Sequence, residues 1–169
     1  MVNDRGIERF LSQLPGIAGY RAKETRREVD KRIRQQLMEE LEHVRNAVSD
    51  IQRTALRTGG LRWMNELEGI NSRLTLLIDK VRSAAYGYRP LFDLEQVKEG
   101  ELDELIRFDR EILSQLPRLN ELVQRARETA SQSPDTFGPA LRALYDAITD
   151  LLNTYNQRDR LVRKVTSND

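Results

Sequence analysis

Apolar residues recur at spacings of three and four along nearly the whole chain. One stripe runs through Val29, Ile33, Leu37, Leu41, Val44, Val48, Ile51 and Ala55. A second takes in Leu67, Ile70, Leu74, Leu77, Val81 and Ala84, and a third Leu102, Leu105, Ile112, Leu116, Leu119, Val123 and Ala126. The fourth joins Leu141, Leu144, Ile148, Leu151, Tyr155 and Val162. This period puts each set on one face of an α-helix. No segment alternates at the period of two that a half-buried strand requires, so the pattern predicts an all-α chain.

Helix breakers separate the stripes. Thr58-Gly59-Gly60 reads as a helix stop, because glycine enters the left-handed cap at little cost. Gly87 to Pro90 ends the second helix, and Ser131 to Asp135 the third, with Asp135 or Thr136 available to cap the fourth. Pro117 falls inside the third stripe, where it removes one donor and predicts a kink. Together these signals predict helices over about 20–58, 61–86, 98–131 and 138–164, preceded by a short amphipathic helix over about 4–13. Short connections make neighbouring helices antiparallel, so the expected architecture is an antiparallel bundle of four long helices. The alternative is a three-helix core with the fourth helix packed differently. Residues 1–18 form the expected N-terminal helix and turn, and 19–169 a single bundle domain. At 1.5 Å per residue the first helix would span ~58 Å against ~40 Å for the second and fourth, leaving its N-terminal part overhanging the bundle.

Composition narrows the chemistry. The 169 residues contain 28 basic and 27 acidic side chains, so no global charge draws the molecule to nucleic acid. Of the basic residues 23 are arginine, but they are spread evenly among acids, and the chain has few aromatics for stacking on single strands. Nucleic-acid binding is therefore a minor reading. There is no cysteine and one histidine, His43. A di-iron carboxylate bundle needs two Glu-x-x-His motifs, and only Glu40–His43 has the spacing. No nucleophile elbow and no Gly-Lys-Ser/Thr phosphate loop is present. The expectation is a non-enzymatic protein with no catalytic residue, cofactor, metal or small-molecule substrate. The chain's start lacks the uninterrupted apolar run of a signal peptide, and no stretch approaches the ~18 apolar residues of a membrane span. A cytoplasmic location follows as an expectation.

Two charged surfaces stand out. Residues 21–34 carry seven basic side chains against three acidic ones, although cations at a helix start oppose its dipole. Phe10 and Leu11 lie on the narrow apolar face of the helix before them. With Arg21, Arg26, Arg27, Lys31 and Arg34 they form a candidate contact surface for a protein, a second copy or an anionic membrane. The last would make the protein peripheral at a membrane's inner face. Residues 93–111 carry eight acids against three basic residues, which suits the start of the third helix or a charge-complementary partner. Tyr86, Tyr88, Arg89 and Phe92 gather hot-spot residue types in one loop and form a second candidate contact. Trp63, off its helix's main stripe, is placed to touch the first helix or a partner. The reading that joins these features is a helical scaffold, adaptor or assembly subunit acting through protein contacts. A peripheral membrane protein is the first alternative and a nucleic-acid-associated helical protein the second.

Overall fold

The computed structural model describes residues 23–87, 99–132 and 134–166. The described residues form four α-helices: α1 (Lys23–Arg57), α2 (Met64–Gly87), α3 (Glu99–Thr129) and α4 (Pro134–Thr166). A three-residue 3-10 turn, Leu61–Trp63, leads into α2. There is no strand among the described residues, so the chain is all-α. The expected leading helix over 4–13 lies outside them.

The four stripes converge on one core. Ile33, Leu41, Ile51, Leu67, Leu74, Leu116, Leu144 and Ile148 are each fully buried. Burying one such side chain contributes roughly 1.5–3 kcal/mol, so the stripes hold the helices together, while the polar faces stay wet. On α1 Val29, the first residue of the regular stripe, is buried.

α1 packs against α2 and α3, and α4 packs against the same two helices. Cross-helix contacts set the directions. The Thr58 hydroxyl, just past the end of α1, donates to the Ala130 carbonyl, just past the end of α3, at 3.1 Å. These two helices therefore finish side by side. Trp63 and Phe137, at the starts of α2 and α4, meet at 6.0 Å between ring centroids. Arg82 near the end of α2 reaches Glu42 near the middle of α1 at 3.5 Å, away from the α1–α2 turn. α1 and α3 thus run one way, and α2 and α4 the other.

One boundary differs from the sequence pattern. α4 starts at Pro134, four residues before the expected position, and carries Pro139 in its second turn. Proline is well tolerated at the first helical position, because the N–H it lacks would have no partner there. α4 therefore has 33 residues and α1 35, so the two are nearly equal in length. α3 is continuous through Pro117, which costs one intrahelical hydrogen bond without ending the helix.

Candidate functional site

The chain turns from α1 to α2 at the end of the molecule where α3 also gives way to α4. Gly59 takes φ +80°, and the Gly60 N–H closes back on the Ala55 carbonyl at 2.7 Å. This is the six-residue closure of a Schellman cap. Gly60 cannot be larger, since a Cβ there would lie 2.9 Å from the Ala55 oxygen. The turn then continues as Leu61-Arg62-Trp63, with the Trp63 N–H on the Gly60 carbonyl at 3.0 Å.

Trp63 is held by α4. Its ring meets Phe137 edge-on, at an interplanar angle of 86°, and passes directly over Gly138. A Cβ on Gly138 would sit 2.4 Å from the ring's Cη2 atom, so only glycine allows the approach. The Arg62 guanidinium lies over the outer face of the ring, 4.9 Å from its centroid, in cation–π geometry. The sequence suggested the first helix or a partner as the neighbour of Trp63; its ring seats on the first turns of α4, and the 3-10 turn that carries it also packs against α1.

Beside this ring stack lies an open cleft of about 340 Å³. Trp63 and Phe137 supply its apolar wall, and Thr58, Arg62, Ser131 and Gln132 its polar one. Next to it the surface is unusually apolar. Leu61 is 70% exposed and Leu56 48% exposed, two of the three large hydrophobic side chains exposed among the described residues. The third, Leu76, lies far along α2. From Arg53 to Arg62 the chain carries three arginines and no acid. Arg53 is paired with Asp50. Arg57 and Arg62 are exposed and have no acidic partner among the described residues.

The opposite end holds a polar cluster. Arg158 of α4 is fully buried, and Asp109 of α3 is 2% exposed. They form a bidentate pair: Nε donates to Oδ1, and Nη2 donates to Oδ2 at 2.8 Å. Tyr155 is buried alongside, its ring 5.4 Å from the guanidinium carbon. The Tyr155 hydroxyl lies 3.5 Å from the Lys80 carbonyl, and Lys80 pairs with Asp159 at 3.2 Å. This cluster ties α2, α3 and α4 together away from solvent, which suits fixing their register rather than receiving a ligand.

The residues singled out from the sequence fall elsewhere. Arg26 and Arg27 belong to the first turns of α1, where Lys31 is exposed and Arg34 half-buried. Tyr86 is in the last turn of α2. Because α1 starts where α2 ends, these share the Arg158 end of the molecule. Phe10, Leu11, Arg21, Tyr88, Arg89 and Phe92 lie outside the described residues. Glu40 and His43 diverge: Glu40 is buried and accepts from the Gln36 amide at 3.1 Å, while His43 is exposed. No group of three or more His, Asp or Glu side chains is gathered for a metal among the described residues. No described helix is long and apolar enough to cross a membrane.

Sequence reading missed the Leu56–Leu61–Trp63 end. The available signals were two leucines off the stripes beside a double glycine, and a glycine inside the expected start of a helix. The chain matches no protein-family model, no curated protein and no solved structure.

Proposed function

We propose that this protein is a non-enzymatic helical module that acts through protein contacts, as a scaffold, adaptor or assembly subunit. Its four helices are read as a bundle in which the sequential pairs α1–α2 and α3–α4 are antiparallel, the neighbours α1 and α3 and the neighbours α2 and α4 run parallel, and a crossover joins the diagonally placed α2 and α3. The contact surface is the end formed by the α1–α2 turn. The observation that carries this reading is the exposure of Leu56 and Leu61 beside a walled cleft. Single exposed leucines are ordinary on soluble proteins, but two of them flanking in sequence a turn that lines a concavity beside a partly buried tryptophan mark a place of contact. The rigid turn supports the same reading, because a preformed surface loses little entropy on binding.

A photo-crosslinking amino acid placed at position 61 of the full chain in its native cells tests this. The expected result is a discrete protein adduct that is absent when the same group replaces Leu76, which is equally apolar and lies remote from the cleft. No adduct at 61, or the same adducts at both positions, would remove this end as the contact surface.

A further inference from the structure

The chemistry of the turn specifies what kind of partner it takes, an inference that rests on the contact reading above. We propose that the cleft beside Trp63 accepts a short acidic peptide segment of a partner protein, anchored by one leucine or aromatic side chain.

Size sets the first limit. A cavity of about 340 Å³ lies at the small end of the ~300–1,000 Å³ range for ligand sites. It has room for one or two side chains and not for a helix. The apolar wall of Trp63 and Phe137 suits a leucine or an aromatic ring, and the exposed Leu61 lies in sequence between the lining residues Gly60 and Arg62. Gly138 lets the Trp63 ring lie against α4, where Phe137 meets it edge-on. The anchor therefore meets a preorganised wall.

Charge sets the second limit. Arg57 and Arg62 are exposed cations with no acidic partner among the described residues, on a stretch that contains no acid. Arg62 also presents a planar guanidinium at the lip of the cleft, suited to bidentate capture of a carboxylate. The cationic area is small and bounded. Glu66 stands in the first turn of α2 and Asp135 in the first turn of α4. A continuous polyanion, whether a nucleic-acid backbone or an anionic membrane, would have to cross those carboxylates. Two or three carboxylates on a short peptide would not.

A display library of random twelve-residue peptides, selected on the immobilised full chain, tests the proposal. Parallel selection on the Arg57→Glu/Arg62→Glu variant is the control; both positions are exposed, and an unchanged melting temperature checks that the variant folds. The expected outcome is enrichment of net-negative peptides containing Leu or Phe, with binding at least tenfold weaker to the variant. Trp63 is the only tryptophan, so its emission should shift as a tryptophan-free member of the enriched set is titrated in. Enrichment of neutral or basic peptides that still shift Trp63 would overturn the acidic specificity while leaving the end as a contact surface. No enrichment would overturn both. Vesicles of phosphatidylserine that shift Trp63 as strongly as the peptides would also overturn the proposal and give the end to lipid.

Discussion

At the scale of single residues, two choices run against local preference and are explained by distant neighbours. Gly138 sits inside α4, where alanine would be favoured by about 1 kcal/mol on helix propensity. Its lack of a side chain makes room for the Trp63 ring from the start of another helix. Gly138→Ala should push that ring outward, move its emission to the red and lower the urea midpoint. An unchanged emission with a raised midpoint would mean that propensity alone governs the site. Arg158 is the second choice. A fully buried guanidinium is costly, and Asp109 offsets much of that cost with two hydrogen bonds. Asp109→Leu alone should cost about 3–5 kcal/mol, since it removes the carboxylate that faces a buried charge. Asp109→Leu combined with Arg158→Met should recover most of that loss, as read from paired denaturation curves. Neither relationship is visible in one helix's pattern. On the sequence Asp109 belongs to an acidic run and Arg158 to a basic helix end, and both patterns are satisfied equally well by solvent.

At the scale of elements, the helical period made the helices and their core faces legible. All eight residues of the first stripe are buried in α1. The period is imposed by the same core that buries the stripe, so pattern and burial are one fact seen twice. The boundaries were less legible, because breakers act according to position. Pro134 and Gly138 read together as a loop ending near 138, yet proline at a first position begins a helix and a glycine one turn later does not stop it. Pro117, by contrast, reads from the sequence as lying within the third helix, and it does. It lies in α3 among Leu113, Leu116 and Leu119, all buried, and the burial of that stripe outweighs the lost hydrogen bond. Leu61 and Leu56 were hardest to read, since an apolar residue off its stripe carries no periodic signal. Only the folded chain shows that both are exposed and that the turn between them lines a cleft.

At the scale of the whole molecule, the order of helices in space is the property that the stripes leave open. Four amphipathic helices can pair in several ways with the same residues inside. Small asymmetric contacts select among these arrangements: Thr58 to Ala130, Trp63 to Phe137, Lys80 to Asp159 and Arg158 to Asp109. Each is satisfied only when α1 and α3 end together and α4 lies between α2 and α3. The exposed ion pairs contribute little energy, about 0–1 kcal/mol each. The selecting contacts that matter most are therefore the buried Arg158–Asp109 pair and the Trp63 seat, one at either end. The absence of cysteine makes the arrangement directly measurable, because spin labels attach only where a cysteine is introduced. Labels at Arg57→Cys and Glu128→Cys, both exposed near the ends of α1 and α3, should lie within about 20 Å of each other. Labels at Arg57→Cys and Arg160→Cys should be separated by most of the length of α4, roughly 35 Å at 1.5 Å per residue. A fold with α3 reversed would exchange the near and far pairs. It would also part Thr58 from Ala130, open the wall of the cleft beside Trp63, and with it remove the surface on which the peptide-binding proposal stands.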